Sequence, residues 1–254
     1  MLPAGTFTGK VAFITGGGSG MGLAMALEFA RTGATVAITS RDEGRRRRAV
    51  EAVEALGGRC IALSMDVRRP EEVEAAFAAV AAEAAPVDIL VNNAAANPYF
   101  GPMLEQDLGS FEKTVEVNLR GYFWSCVQAA RRMKARGAGG CIVNIASVNA
   151  RRAAPGQGVY SMTKAGIVNL TEGLAKELAR DGIRVNAVLP GLTDTKFASA
   201  LTSNPKILGM MMQLTPLGRV AQPDEIAPAV LYLCSAASSY VTGSVLAVDG
   251  GYLA

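Results

Sequence analysis

The chain has 254 residues, of which 50% are hydrophobic and 19% are charged, enough for one large domain and short for two. Its net charge of +3 at pH 7 is that of an ordinary protein surface, so no nucleic-acid partner is predicted. Histidine is absent, which excludes Ser-His-Asp and Cys-His catalysis and all histidine-containing metal sites. We predict no metal site.

Short apolar runs rich in β-branched residues alternate with longer alanine-rich helical patterns. Strands are predicted at 10–15, 35–39, 60–64, 89–91, 140–146, 184–189 and 244–248. Helices are predicted near 21–32, 42–56, 70–83, 107–136, 160–180 and 223–235. Strands that are apolar throughout indicate a sheet covered on both faces. The alternation thus predicts an α/β fold, a Rossmann-like doubly wound parallel sheet of about seven strands, in a single domain over 1–254.

Three segments qualify this outline. The stretch 191–218 fits the alternation least, and we predict a mobile excursion beside the substrate. Its methionines 210–212 fit either a flexible apolar lid or core filling. The uncharged segment 226–248 is interrupted by Ser and Gly residues, so we predict a core helix and a core strand there and no membrane span. Residues 1–10 have no apolar run of the kind found in secretory leaders. The four cysteines contain no CxxC pair, so buried thiols in a cytoplasmic protein are expected.

A glycine-rich turn at 15–22 follows the first predicted strand and opens the first helix. Glycines allow a tight turn there, and they let a pyrophosphate approach the positive N-terminus of the helix. A purely structural turn is the competing interpretation. The residues expected to contact the cofactor are Gly16, Ser19, Gly20, Met21 and Gly22.

The second strand ends at Thr39, and Ser40 and Arg41 follow it. An NAD site usually carries an acidic residue here for the ribose 2′-hydroxyl, whereas an arginine suits a 2′-phosphate. Arg45, one helical turn further on, can assist, while arginines 46–48 are interpreted as a solvated helix face. The sequence therefore favours NADP(H) over NAD(H).

Two further strand ends are expected beside the cofactor. Asp66 and Val67 follow the third strand, where they can bound the adenine. Asn93 and Ala94 follow the fourth strand, where asparagine side chains can satisfy free backbone groups.

Tyr160 and Lys164 stand four residues apart in a predicted helix. Positions i and i+4 share one helix face, and a nearby ammonium favours phenolate over phenol. We therefore expect Lys164 to lower the pKa of Tyr160 and to make it a usable general acid or base. The same spacing also occurs by chance on solvated helices.

Together these motifs resemble the short-chain dehydrogenase/reductase superfamily in its single-domain form, over nearly the whole chain. The ordered matches are the turn 15–22, Asp66-Val67, the motif 92–94, Asn118, Ser147, Tyr160 with Lys164, Pro190-Gly191 and Thr195. Segments 93–101 and 189–192 also resemble NADPH-dependent carbonyl reductases of the retinal-reductase type. Two departures are noted: Ala95 stands where a glycine is usual, and Ser19 stands where many NADP-preferring members have a basic residue.

The resemblance implies a catalytic set. Tyr160 would donate a proton to a carbonyl oxygen that Ser147 orients, while the nicotinamide delivers hydride. Lys164 would bind the nicotinamide ribose, and Asn118 would hold a water that links Lys164 to solvent. Alternatively, Ser147 is a strand-end turn residue and Asn118 a helix-kink residue that bonds backbone carbonyls.

The resemblance also implies contacts to the carboxamide from Thr195 and from the backbone after Pro190 and Gly191, and Thr193 is counted with these cofactor contacts. A plain helix N-cap is the rival interpretation of Thr195. The expected substrate is a small apolar carbonyl compound or alcohol, and a homotetramer is expected of the family. Reduction of an enoyl C=C bond and a non-catalytic dinucleotide sensor are the alternative functions.

Overall fold

Seven strands form one parallel sheet in the computed structural model, which describes residues 2–254. The strands are β1 (Val11–Thr15), β2 (Thr35–Thr39), β3 (Arg59–Leu63), β4 (Ile89–Asn92), β5 (Gly140–Ile145), β6 (Ile183–Pro190) and β7 (Val245–Val248). Their order is β3-β2-β1-β4-β5-β6-β7, and every neighbouring pair is parallel. The predicted doubly wound sheet in a single domain is confirmed.

Helices cover both faces of the sheet. They are α1 (Gly20–Arg31), α2 (Glu43–Glu54), α3 (Pro70–Glu83), α4 (Leu108–Val115), α5 (Gly121–Arg136), α6 (Gly158–Leu178), α7 (Ser199–Thr202), α8 (Pro205–Gln213) and α9 (Pro223–Cys234). Helices α1, α2 and α9 pack on one face, and α3, α5 and α6 pack on the other.

Neighbouring residues of β1 enter opposite layers, because successive side chains of a strand point to opposite faces. The Phe13 ring stacks on Phe77 of α3 with the ring centroids 4.5 Å apart. Ile14 packs with Phe29 of α1 in the other layer. All of these side chains are fully buried, so the uniformly apolar strands reflect a sheet with no solvent-facing side.

The strand order reverses at β1, which lies between β2 and β4. The connections from β1 and β4 therefore leave in opposite directions and open a crevice at the carboxyl ends of the two strands. In open parallel sheets this switch point is where ligands bind.

The structure differs from the sequence prediction in two places. The helix predicted over 107–136 is divided by a π-helical turn, Glu116–Arg120, between α4 and α5. The stretch 191–218 contains two short helices, α7 and α8, and no residue of α8 is buried. Core filling by its methionines is therefore wrong. Among residues 2–254, no helix has the length and apolar character needed to cross a membrane.

Candidate active site

A cleft of about 420 Å³ opens at the carboxyl ends of the central strands. Its wall includes these residues that the sequence analysis singled out: Gly16, Ser19, Gly20, Met21, Ser40, Arg41, Arg45, Asp66, Val67, Asn93, Ala94, Tyr160, Lys164 and Thr195. The glycine-rich turn, the end of β2 and the first two turns of α6 therefore face one common space.

Asn93 fixes the glycine-rich turn. Its Nδ2 donates to the carbonyls of Thr15 and Gly16 at 3.1 and 3.2 Å, and the Thr15 hydroxyl accepts from the Asn93 backbone N–H at 3.0 Å. Gly16 has a φ of 67°, a left-handed conformation that favours glycine. Gly22 lies behind the turn and not in the cleft wall, because a Cβ there would stand 2.3 Å from the Gly16 carbonyl oxygen. Its part is close packing of α1 against the turn.

Ser40, Arg41 and Arg45 line the end of the cleft that adjoins β2. The Arg46 guanidinium donates to the Ser40 carbonyl at 2.6 Å. The interpretation of Arg46 as part of a solvated helix face is therefore wrong, because its side chain holds the backbone of this turn. Ser19, the N-cap residue of α1, also faces the cleft, and its hydroxyl makes no capping bond. This end of the wall therefore contains two arginines and three hydroxyl residues, Ser19, Thr39 and Ser40.

Asp66 is held at the edge of the cleft by Arg68. The Arg68 Nε lies 3.1 and 3.0 Å from the two carboxylate oxygens, and Nη2 lies 2.6 Å from one of them. This bidentate bond lowers the pKa of Asp66, and the Arg41 guanidinium at 3.8 Å adds to the lowering. The carboxylate therefore stays charged, and the next residue, Val67, forms the apolar wall.

Tyr160 and Lys164 are both buried on the face of α6 that lines the cleft, with exposures of 8% and 1%. The Lys164 Nζ donates to the Ile145 carbonyl at 2.8 Å and lies 5.5 Å from the centroid of the Tyr160 ring. Burial lowers the pKa of Lys164 to about 7. Burial also raises the pKa of Tyr160 above its ordinary value, while the Ser147 hydroxyl opposes that rise.

The expectation that Lys164 lowers the pKa of Tyr160 is therefore wrong for this structure. Removing a phenolate and an ammonium from water disfavours both charged forms, and the Lys164 donor is directed at the Ile145 carbonyl. Desolvation is the largest cause of both pKa shifts. Tyr160 accordingly remains a protonated phenol, the form of a general acid.

Ser147 follows β5 and caps a short 3-10 turn, where its Oγ accepts from the Asn149 N–H at 3.2 Å. The strand-end turn interpretation of Ser147 thus describes its backbone role. Its hydroxyl also opposes the rise in the pKa of Tyr160, although Ser147 itself lies outside the cleft wall.

Asn118 lies in the π-helical turn and is fully buried. Its Oδ1 accepts from the Ala96 N–H at 2.9 Å, and its Nδ2 donates to the Ala96 carbonyl and to the Thr163 hydroxyl at 3.0 Å each. The Thr163 hydroxyl donates to the Tyr160 carbonyl at 2.8 Å. Both amide hydrogens of Asn118 are thus used within the protein, and the residue ties the loop after β4 to α6.

Of the cofactor contacts predicted at and after the end of β6, one residue lies in the cleft wall and three do not. Pro190, Gly191 and Thr193 lie outside the cleft wall, and Gly191 borders a smaller cavity of about 150 Å³ beside β7. The Thr193 hydroxyl donates back to the Gly191 carbonyl at 3.1 Å. Thr195 lines the main cleft and also caps a 3-10 turn, where its Oγ1 accepts from the Ala198 N–H at 3.3 Å. Thr195 is therefore both an N-cap residue and part of the cleft wall.

Several wall residues were not predicted from the sequence to line the site: Thr39, Met65, Lys113, Val117, Ile145 and Ala146. Most lie within a few residues of a strand end, so position relative to the predicted strands was the signal that could have found them. Phe197 is 51% exposed, and its ring centroid lies 6.0 Å from that of Tyr160. No sequence pattern indicated that contact.

A reversing parallel sheet, a glycine-rich turn at its switch point and a buried Tyr/Lys pair in the same cleft define a dinucleotide-dependent oxidoreductase. A family profile described as enoyl-(acyl carrier protein) reductase matches residues 16–253. The chain belongs to the short-chain dehydrogenase/reductase superfamily, whose members bind nicotinamide dinucleotides and act on alcohols and carbonyl compounds.

Individual relatives cover almost the whole chain. A cis-4-hydroxycyclohexanecarboxylate dehydrogenase of Sinomonas cyclohexanicum is 38% identical over 98% of both chains. A galactitol 2-dehydrogenase (L-tagatose-forming) of Cereibacter sphaeroides is 39% identical over 96% of this chain and 95% of its own. The crystal structure of a putative 2-deoxy-D-gluconate 3-dehydrogenase from Agrobacterium tumefaciens with bound NADP has a TM-score of 0.90 and is 32% identical over 97% of both chains.

Proposed function

We propose that the protein is an NADP(H)-dependent oxidoreductase that interconverts a small carbonyl compound and a secondary alcohol, with Tyr160 as the general acid or base. The observation that carries the proposal is the burial of Tyr160 and Lys164 on one wall of the cleft that begins at the glycine-rich turn. The chemistry that the bound nicotinamide supplies is hydride transfer to or from carbon.

The protein's own groups manage the proton. In the reducing direction Tyr160 donates its proton to the oxygen of the substrate, and its raised pKa keeps the phenol protonated until the oxygen becomes basic. The Ser147 hydroxyl orients that oxygen, and the charge on Lys164 stabilises the phenolate that is left. Asn118 acts through structure, because it holds the loop after β4 in place.

The preference for NADP(H) rests on the end of β2. Ser40, Arg41 and Arg45 face the cleft without an acidic residue of the kind that binds a ribose 2′-hydroxyl. Guanidinium groups form strong, directional bonds with phosphate. A related structure that holds NADP supports the same choice. Thr195, which lies in the cleft wall, would contact the carboxamide, whereas Pro190, Gly191 and Thr193 lie outside that wall.

The cleft wall also contains the small or apolar residues Ala95, Ala96 and Phe197, with Lys113 and Lys196 in the same wall. We infer a small, mainly apolar carbonyl compound or alcohol as substrate, and the narrower carbonyl-reductase resemblance of segments 93–101 and 189–192 agrees with this. We further propose a mobile segment at 191–218 and a homotetramer. A cytoplasmic location suits the four free cysteines, three of which are buried.

Substitution of Tyr160 by phenylalanine tests the reaction. Loss of the general acid is expected to lower kcat/KM for ketone reduction with NADPH by about 100-fold or more, while the dissociation constant for NADPH, measured by fluorescence titration, stays within about threefold. Tyr252→Phe is the matched control, since Tyr252 is a buried tyrosine outside the cleft wall. A Tyr160→Phe enzyme that keeps most of the wild-type turnover would rule the mechanism out.

Reduction of an enoyl C=C bond is the second candidate, and the description of the matching family profile favours it. Initial rates of NADPH oxidation with ketones, diketones and aldehydes, set against those with enoyl thioesters, discriminate the two reactions. Tight NADPH binding with no oxidation by any of these compounds would instead support the non-catalytic sensor.

A further inference from the structure

Tyr122 of α5 is a buried tyrosine that the mechanism above does not use. Its side chain is 1% exposed and packs in an apolar cluster with Ala146, Ile167 and Leu189. Its hydroxyl leaves this cluster and donates to the Ile145 carbonyl at 3.0 Å. That carbonyl is also the acceptor for Lys164. Tyr122 therefore shares a hydrogen-bond partner with the lysine of the cleft.

The Lys164 ammonium is surrounded by aromatic faces and oxygen acceptors. Its Nζ donates to the Ile145 carbonyl at 2.8 Å, and the Tyr122 hydroxyl oxygen accepts from it at 3.5 Å. The same Nζ lies 5.1 Å from the centroid of the Tyr122 ring and 5.5 Å from that of Tyr160. Both distances fall within the range of cation–π attraction.

Among residues 2–254, no negatively charged group faces Lys164. Helix α6 presents the Tyr160 phenol, β5 presents only the Ile145 carbonyl, and α5 presents Tyr122 with Cys126 beyond it. Lys113 and Lys196 line the same cleft and are positively charged. Without an ion-pair partner, the ammonium depends on these dipoles and ring faces to remain charged while buried.

We propose that Tyr122 is a positioning residue for Lys164, holding the ammonium through its hydroxyl oxygen and ring so that one N–H points into the cleft. An ammonium has three N–H donors; the Ile145 carbonyl takes one and Tyr122 takes a second. The third N–H can then donate to the cofactor ribose or point its positive charge towards Tyr160. This inference rests on the proposed function, because the role of Lys164 is taken from that function.

Two substitutions separate the contributions of Tyr122. Tyr122→Phe keeps the ring over Lys164 and removes only the hydroxyl. Tyr122→Leu removes both. With an acceptor for the ammonium lost, the pKa of Lys164 falls further, so the high-pH limb of the kcat/KM profile for ketone reduction moves to lower pH. We expect Tyr122→Phe to lower kcat/KM about tenfold at pH 8 and to move that limb by about one pH unit. Tyr122→Leu should exceed both effects.

A readout that needs no turnover accompanies the kinetics. Competitive acetylation of Lys164 by acetic anhydride, followed by mass spectrometry across pH 5–10, reports the pKa of its amine directly. The Tyr122→Phe protein should become reactive at lower pH than the wild type. Tyr252→Phe, a buried tyrosine whose ring lies under Arg152, is the control and should leave both profiles unchanged.

The outcomes distinguish the two claims. If Tyr122→Phe matches Tyr252→Phe in labelling and in kinetics while Tyr160→Phe is inactive, the role of Tyr122 is overturned and the proposed function stands. If no carbonyl compound or alcohol reacts with the wild type, the proposed function fails, and a shifted labelling profile in Tyr122→Phe still supports the contact with Lys164. Loss of the folded state in Tyr122→Leu alone, seen by circular dichroism, leaves the Phe variant to decide.

Discussion

Arg41 follows β2 with its side chain 65% exposed, and its guanidinium lies 3.8 Å from the Asp66 carboxylate. Because the side chain borders the cleft and is bound only loosely, it is free to meet a 2′-phosphate. We expect Arg41→Ala to lower kcat/KM for NADPH by about 10- to 100-fold, the usual effect of losing one charge-assisted hydrogen bond. The value for NADH should change less than about threefold.

The control for that substitution is Arg47→Ala, because Arg47 is 76% exposed and pairs with Glu51 on the outer face of α2. Initial rates with both cofactors at low salt measure the ratio of the two kcat/KM values. An Arg41→Ala enzyme with an unchanged ratio would show that Ser40 and Arg45 suffice to bind the phosphate, or that the preference lies with NAD(H).

Single residues also show what sequence spacing leaves out. The i,i+4 relation of Tyr160 and Lys164 correctly placed both side chains on one wall. It did not predict the direction of the Tyr160 pKa, because that depends on burial, and burial depends on which elements cover the helix. The contact between Tyr122 and Lys164 could not be predicted for the same reason, because the two residues are 42 positions apart in the chain.

At the scale of elements, the glycine-rich turn was predictable and its internal packing was not. Gly22 matched the motif, yet it contacts the backbone of the turn and not the cleft. A Cβ at this position would stand 2.3 Å from the Gly16 carbonyl oxygen and 2.7 Å from the Asn93 Nδ2. Gly22→Ala is therefore expected to destabilise the protein by about 1–3 kcal/mol and to weaken NADPH binding about tenfold or more.

Thermal unfolding and fluorescence titration with NADPH measure the two effects. Gly173→Ala is a suitable control, since Gly173 lies in α6 and a Cβ added there would meet no atom within 4 Å beyond the backbone of its own helix. Removing a helical glycine there should stabilise the protein by up to about 1 kcal/mol. Equal unfolding temperatures for the two variants would contradict the close packing of α1 on the turn.

The π-helical turn around Asn118 illustrates what elements add beyond local pattern. The residues from 107 to 136 have uniform helical periodicity, so the sequence predicted one helix. The extra residue in the turn brings the Asn118 amide to Ala96 and Thr163. Such a turn is stabilised by tertiary hydrogen bonds from distant segments, which local propensity does not encode.

For the whole molecule, the alternation of strands and helices was sufficient to predict the sheet, because right-handed crossovers leave few ways to arrange it. The sheet does not cover the outer surfaces of α4, α5 and α6. Large apolar side chains stand exposed on or beside these helices: Leu104, Leu108, Phe111, Phe123 and Met162. Exposed apolar surface of this extent is typical of a face that meets another subunit.

We therefore expect the wild-type protein to assemble as a homotetramer whose subunits meet partly through these helices. Light scattering at micromolar concentration should give about four times the 26.4 kDa of one chain. Phe123→Glu, which places a charge at a side chain that is 48% exposed on α5, should yield smaller particles because burying an unpaired carboxylate is unfavourable. Leu56→Glu, beyond α2 and 41% exposed, should leave the particle size unchanged. A wild-type particle of a single chain would contradict the proposed assembly, and equal sizes for the wild type and Phe123→Glu would move the interface to another face.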